Sequence, residues 1–246
     1  MTTIRNFRFL LLAVLGFVTG MGCTSAGFSP WTTAAITTSA DGQSTDSKRA
    51  EKELPPKEAA RTCMAAAEEL QNGGHAEQAI MLYEKARKYD PSLTTISHHL
   101  GVLYDMQGDS TRSLSEYKLA AEAEPKNPDV FSDLGYYYLK RGNASAAEQS
   151  LRTALAIDPK HPKALANLGM VLAAEQRFDE SFEVFSKVVG PAAAHSNVGV
   201  LMAKQGRNDD ARKQFHEALA LDSTLKQPKA FLEYLDRPPT PECSRP

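Results

Sequence analysis

Two adjacent histidines, His98 and His99, are the residues of this sequence that most readily suggest chemistry. Imidazole is a common metal ligand, so the pair raises the question of a metal site. Neighbouring residues of a helix point about 100° apart and cannot easily hold one ion. The sequence shows no His-x-x-x-His pattern and no acidic partner at ligand spacing. We therefore expect no metal and no cofactor, and we expect both side chains to line a surface or to be partly buried.

The three cysteines, Cys23, Cys63 and Cys243, are too few and too scattered for a disulfide framework or a zinc site. We expect Cys63 to be a small core residue rather than a nucleophile. The sequence has no glycine-rich phosphate loop and no Gly-x-Ser-x-Gly motif. Its formal net charge of −2 argues against a general nucleic-acid binder, which needs a basic face. These features predict a protein that is not an enzyme and has no small-molecule substrate.

The first residues are typical of an export signal. Two arginines precede an apolar run over residues 9–18, which is too short to span a bilayer comfortably. The segment "TGMGCTS" that follows resembles the lipobox of bacterial lipoproteins, in which the cysteine is lipidated, although Gly20 stands where that family favours leucine. The resemblance implies a signal over 1–22 and lipidation of Cys23. Ordinary cleavage near Ala26, giving a soluble exported protein, and a retained membrane anchor are the alternatives.

An internal period organises the middle of the chain. Leu-Gly pairs end at Gly101, Gly135 and Gly169, 34 residues apart, and a Val-Gly pair ends at Gly199 after 30 residues. Further glycines, prolines, aromatic and small residues recur in register with them. Because an interior helical glycine costs about 1 kcal/mol relative to alanine, each must serve a purpose. We expect it to let a second helix approach closely, so that each unit is a helical hairpin.

The residues of each unit resemble the tetratricopeptide repeat, whose pattern is W-x-x-L-G-x-x-Y, then A-x-x-x-F, then A and P. "FSDLGYYY" with Ala147, Leu151 and Pro159 matches nearly throughout, and "SHHLGVLY" and "LANLGMVL" match as well. The resemblance implies an all-α fold, a right-handed superhelical solenoid of about five helix-turn-helix repeats with a C-terminal cap helix.

The domain organisation follows from this pattern. A Ser/Thr-rich tether without periodicity occupies 23–57, the repeat domain occupies 58–236, and a disordered tail occupies 237–246. We place the repeats and the cap helix at about 60–93, 94–127, 128–161, 162–191, 192–225 and 226–236.

The fourth repeat departs from the pattern. It is four residues short, about one helical turn, and "GPAAAHS" replaces the usual Asp-Pro loop. Either its second helix is short or the connection is tighter. We predict a local irregularity near Gly190 and Pro191.

Stacked repeats leave a concave groove lined by first helices, and such grooves bind extended peptides or a partner's helix. The periodic pattern places a set of candidate partner-binding residues there: His98, His99, Asp105, Asp133, Tyr136, Lys163, Asn167, Met170, Asn197 and Lys204. It also places Ser132 and Ser196 on exposed positions of the same helices.

Asparagines at the place of Asn167 and Asn197 often bind the peptide backbone in members of the resembled family, and solvated side chains are the alternative. Asp129 and Asp133 occupy part of the surface that the family's carboxylate-binding version uses. We therefore do not expect recognition of a free C-terminus.

The resemblance implies a non-catalytic scaffold that binds another protein in the bacterial cell envelope. The expected location is a membrane facing the periplasm, through a lipid anchor. Without lipidation of Cys23, we expect a soluble periplasmic or secreted protein. The alternatives are an accessory subunit of an envelope enzyme, a part of a secretion or pilus assembly complex, and a self-associating structural element.

Overall fold

The computed structural model describes residues 54–237, and every regular element in that range is an α-helix. The predicted signal, Cys23, most of the tether and the tail beyond 237 lie outside the described residues. In chain order the helices are α1 (Pro56–Asn72), α2 (Ala76–Tyr89), α3 (Ile96–Gln107), α4 (Ser110–Ala123), α5 (Pro128–Lys140), α6 (Ala144–Ile157), α7 (Pro162–Ala174), α8 (Phe178–Val189), α9 (Pro191–Lys204), α10 (Asn208–Leu221) and α11 (Lys226–Leu235).

The helices form a stack of hairpins. Each odd-numbered helix up to α9 packs against the even-numbered helix that follows it, which gives five hairpins, and α11 covers α10 and α9 at the end of the stack. First helices also contact the first helices of neighbouring hairpins. The architecture is therefore the all-α solenoid of five repeats with a cap helix that the resemblance implied. The first helix begins at Pro56, inside the segment assigned to the tether.

The interior glycines do allow the close approach expected of them. A β-carbon built on Gly135 would lie 2.5 Å from Cγ of Leu151, and one on Gly169 would lie 2.7 Å from Cζ of Phe185. Both distances are shorter than any normal carbon contact, so a side chain of the second helix occupies the space. The packing offsets the helix propensity that glycine loses.

Polar and small residues fix the ends and the interior of each hairpin. Asp109 and Asn143 cap α4 and α6 by accepting hydrogen bonds from backbone N–H groups at 3.0 and 3.1 Å. Inside the hairpins, small and large side chains alternate in fully buried columns, for example Ala79, Tyr83 and Ala86 in α2 and Ala147, Leu151 and Ala154 in α6. The periodic residues of the sequence are thus the packing residues of the fold.

The irregular fourth repeat is present where it was predicted. Both alternatives occur together: α8 has 12 residues where α6 has 14, and Gly190 alone connects α8 to α9. Gly190 has φ 79° and ψ 165°, a conformation that residues with a β-carbon rarely adopt. Four residues, 158–161, make the equivalent connection between α6 and α7.

Within residues 54–237, none of the helices combines the length and the apolar character that crossing a membrane requires.

Candidate functional site

The candidate residues lie on four successive first helices, α3, α5, α7 and α9. We call the surface that they form the first-helix face; it comprises the residues of these helices beside and including the ten candidates His98, His99, Asp105, Asp133, Tyr136, Lys163, Asn167, Met170, Asn197 and Lys204. Two of them, Lys163 and Lys204, are exposed, and the other eight are half-buried. Every candidate therefore keeps part of its side chain accessible.

Two further residues expected to be exposed on these helices are buried. Ser132 has no exposed surface and Ser196 keeps only 2%. Both small side chains are covered in the folded stack, and the Ser196 hydroxyl lies 3.4 Å from Oε1 of Gln227 on α11. The expectation of exposure was wrong for both.

His98 links two repeats. Its Nε2 lies 3.0 Å from Oδ2 of Asp133, so the imidazole of α3 bonds the carboxylate of α5. Both side chains are half-buried, as predicted for the histidine. Two of the candidate residues therefore already hold each other.

His99 packs into the neighbouring first repeat. Its ring stacks on Tyr83, with 4.9 Å between ring centres, and Nδ1 lies 3.2 Å from Oε1 of Gln71. Burial and then the nearby His98 lower the pKa of His99. The ring is therefore neutral at pH 7, and its Nδ1–H donates to the Gln71 oxygen. The phenol of Tyr83 donates to the same oxygen at 3.0 Å.

Asp105 is an ion-pair partner within the stack. Its carboxylate lies 2.9 Å from the ammonium of Lys140 and 2.9 Å from the guanidinium of Arg141, both of the next repeat. Only 9% of the Asp105 side chain is exposed. The ammonium of Lys140 also lies 5.8 Å from the centre of the Tyr136 ring. Asp105 therefore contributes to contact between repeats more than to an open surface.

The candidates on α7 and α9 have fewer internal partners. The hydrogen bonds among residues 54–237 do not include the side-chain amides of Asn167 and Asn197. Lys163 approaches Asp129 only to 3.9 Å and is 67% exposed. Lys204 has no ion pair within the described residues. Met170 packs partly against the hydrophobic core beside these groups.

The sequence analysis missed His161, the residue that caps the N-terminus of α7. Its Nδ1 accepts a hydrogen bond from the backbone N–H of Ala164 at 3.1 Å, and its Nε2 lies 3.2 Å from Oδ1 of Asp129. Because Nδ1 accepts, the proton is on Nε2 and is donated to Asp129. The sequence signal was present, since His161 precedes Pro162, a residue favoured at the first helical position. Asp129 and Asp133, one turn apart on α5, thus each bond one histidine, His161 before α7 and His98 on α3.

The residues first considered for chemistry take structural positions. Cys63 is half-buried against the core around Tyr83 and Leu100. Among residues 54–237, no three His, Cys, Asp or Glu side chains are grouped so that they could hold a metal ion.

Three family models match the chain. Two models described as tetratricopeptide repeat match residues 64–128 and 192–225. A third, described as the middle TPR-like domain of cilia and flagella-associated protein 70, matches residues 114–198. The chain is a tetratricopeptide repeat protein. The matches together run from the first hairpin to the fifth.

Solved structures share the fold of this tetratricopeptide repeat protein. YrrB, described as a TPR protein with an unusual peptide-binding site, is 24% identical with a TM-score of 0.56, over 72% of this chain and 93% of that one. MamA is 21% identical with a TM-score of 0.56, over 75% and 99%. PilF of Pseudomonas aeruginosa is 20% identical with a TM-score of 0.55, over 68% and 78%. A comparison with curated proteins found no match.

The first-helix face of this tetratricopeptide repeat protein combines three kinds of group. Carboxylates on α5 accept from histidines, amides on α7 and α9 have no described partner, and an ammonium ends α9. An amide both donates and accepts, which matches the N–H and C=O groups of a peptide backbone. The face can therefore form hydrogen bonds and ion pairs with another chain.

Proposed function

We propose that this protein is a non-catalytic scaffold that binds a segment of a partner protein on its first-helix face. The observation that carries the proposal is the pair Asn167 and Asn197. Asn167 lies two residues before Gly169, and Asn197 lies two residues before Gly199, the equivalent glycine of the next repeat. Neither amide forms a hydrogen bond with another described side chain or backbone group.

The surroundings of the two asparagines support this proposal. Met170 on α7 and Val200 on α9 follow them by one turn and are half-buried. Amides beside accessible apolar side chains are typical of protein interfaces, in which apolar contact provides affinity and a few polar groups fix orientation. The YrrB structure, described as having a peptide-binding site, shares the fold and supports the same type of ligand.

The proposed location is the bacterial cell envelope. It rests on the apolar run over 9–18 and on the lipobox-like segment that ends at Cys23. In this proposal the lipidated Cys23 holds the protein at a membrane facing the periplasm. Replacing the residue, Cys23→Ala, should move the protein from the membrane fraction to the soluble fraction. A variant that stays in the membrane would show that Cys23 is not the anchor.

A role in pilus assembly is the second candidate. The similar structure of PilW, 18% identical with a TM-score of 0.56, is described as that of a widely conserved type IV pilus biogenesis factor. The fold therefore occurs in a protein described as a pilus biogenesis factor, which supports this second candidate. The favoured function remains partner binding, whichever assembly the partner belongs to.

The test of partner binding is a pull-down from envelope extract with the double variant Asn167→Ala, Asn197→Ala. The matched control is Gln78→Ala, Gln149→Ala, which removes two exposed amides from the second helices α2 and α6. We expect the first variant to lose partners that the wild type and the control both retain. Equal recovery by all three proteins, with unchanged thermal unfolding, would contradict the proposal.

A further inference from the structure

We infer that the part of the first-helix face on α5, α7 and α9 binds an extended partner segment that carries a basic and an acidic residue about six residues apart. The basic residue lies over Asp129 and Asp133, and the acidic residue lies at Lys204. This inference rests on the proposed function and adds the chemistry of the ligand.

The first observation is an unequal distribution of charge. Helices α3 and α5 together contain three aspartates and one lysine, whereas α7 and α9 contain two lysines and no carboxylate. The first-helix face is therefore acidic at one end and basic at the other. A ligand that crosses it gains most if its own charges are arranged in the opposite order.

The second observation concerns which of these charges are free. Lys140 and Arg141 neutralise Asp105, so it cannot attract a ligand strongly. Asp129 and Asp133 have histidine partners, are 51% and 25% exposed, and have only the distant Lys163 as a described cationic neighbour. Lys204 is exposed and unpaired within the described residues. The open charges are thus two carboxylates on α5, one of which has the exposed Lys163 at 3.9 Å, and one ammonium at the end of α9 that has no carboxylate neighbour among the described residues.

The distance between these charges follows from helix geometry. Neighbouring packed helices lie about 8–10 Å apart, so α5 and α9, with α7 between them, lie about 16–20 Å apart. Asp133 lies two residues before Gly135 on α5, whereas Lys204 lies five residues after Gly199, the equivalent glycine of α9. This difference of seven residues displaces Lys204 by about 10 Å along the helix axis. The diagonal is about 20 Å. An extended chain spans it with about six residues, at about 3.3 Å each.

The path between the charges favours an extended ligand over a helical one. By these offsets Met170 lies closest to the diagonal, and Asn167 and Val200 lie within about one helical turn of it. The amide of Asn167 needs backbone groups as partners. A helix already bonds its own backbone groups and would leave the amide without them. An extended segment leaves its N–H and C=O groups available, so it satisfies both the asparagine and the charges.

The test uses labelled synthetic peptides of about twelve residues, built from alanine, serine, proline and one leucine, with binding measured by fluorescence anisotropy. One pair of peptides carries Lys and Glu six residues apart, in both chain orders, because the charges do not fix the direction of the chain. The control peptide has the same composition with Lys and Glu adjacent. We expect at least one spaced peptide to bind more tightly than the control, by up to about fivefold for each ion pair. The difference should disappear at about 1 M salt, where charges are screened within about 3 Å.

Charge reversal gives the sharper result. Lys204→Glu should make a peptide with two lysines the preferred ligand. Asp133→Lys, which leaves the Asp129 carboxylate beside the new ammonium, should abolish the preference for a lysine at that end of the peptide. Asp129→Lys provides a second carboxylate variant in case the loss of the His98 contact unfolds the protein. Lys187→Glu and Glu183→Lys, exposed charges of α8, are the matched controls and should leave the order of affinities unchanged.

Each outcome separates this inference from the proposed function. If the peptides bind but charge reversal leaves their order unchanged, the inference is wrong. If Asn167→Ala, Asn197→Ala still weakens all of them, the proposed function stands. If the charge variants reorder the peptides and the asparagine variant has no effect, the ligand chemistry is supported and the role of the asparagines is contradicted. If no peptide binds, even at millimolar concentration, the inference is overturned.

Discussion

The two halves of the first-helix face differ in how many partners their polar side chains have within residues 54–237. On α3 and α5, the polar groups bond one another across repeats, as His98 bonds Asp133 and Asp105 bonds Lys140. On α7 and α9, the equivalent positions carry Asn167, Asn197 and Lys204, which have no such partner among the described residues. Side chains at equivalent positions of the repeats can therefore either stabilise the stack or remain available to another chain.

This difference matters because the backbone frame is the same in both halves. The residue two before the helix glycine is His99, Asp133, Asn167 and Asn197 in successive repeats, and the residue five after it is Lys140 in one half and Lys204 in the other. Matched substitutions at these positions, and at the packing residues beneath them, test the comparison directly.

The largest effect is expected from alanine at the interior glycines. Gly169→Ala would bring a β-carbon to 2.7 Å from Phe185, whereas Gly101→Ala would bring one to 3.0 Å from Tyr117. Overpacking of this kind costs about 1–3 kcal/mol, against a helix propensity gain of about 1 kcal/mol. Urea unfolding should show a clear loss for Gly169→Ala and a smaller one for Gly101→Ala. A stabilised Gly169→Ala would mean that the second helix has room to move away.

The same glycines show why the fold could be predicted from the sequence. Gly, Ala and aromatic residues recur at fixed intervals because every hairpin packs its two helices in the same way. The period therefore predicts the helices, their pairing and the short fourth repeat. The caps Asp109 and Asn143 belong to the same repeated pattern, since each follows its turn glycine directly.

The partners across the first-helix face could not be predicted in this way. Whether Asp105 meets Lys140 depends on how far one repeat is rotated and shifted against the next, and the period says nothing about that offset. Ser132 and Ser196 are also buried in the stack, which their positions along a single helix did not reveal. His161 was missed because its role combines a local cap of α7 with a contact to Asp129 on another helix, α5.

The next largest effect concerns the two histidines that bond α5. His161→Ala removes a helix cap, worth about 1 kcal/mol, together with the Asp129 contact. His98→Ala removes only a hydrogen bond to Asp133, worth about 0.5–1.5 kcal/mol. Thermal unfolding should show a larger loss of stability for His161→Ala. His161→Asn, which keeps a side-chain acceptor for the cap, should recover part of it. Equal losses for the two alanine variants would mean that the cap contributes little.

The free energy of unfolding is expected to depend on pH through His99 on α3. Burial lowers the pKa of His99, so below the ordinary value of 6.5 the unfolded chain binds a proton more readily than the folded protein does. The stability associated with neutral His99 is therefore present above pH 6.5 and is lost as pH falls through the lower pKa of the folded state. The free energy of unfolding of the wild type should decrease between pH 7 and pH 5 by more than that of His99→Gln. Parallel curves for the two proteins would contradict this assignment.

The smallest effect separates the two lysines that occupy the same position of their repeats. Lys140→Ala removes an ion pair with Asp105, a carboxylate that is only 9% exposed, while Lys204→Ala removes an exposed ammonium without a described partner. Because Arg141 still pairs with Asp105, the loss for Lys140→Ala should be at most about 1 kcal/mol. Lys204→Ala should leave urea unfolding unchanged and lower only the affinity for an acidic ligand. A loss of stability for Lys204→Ala equal to that of Lys140→Ala would mean that both halves of the face stabilise the stack, and that neither is reserved for a partner.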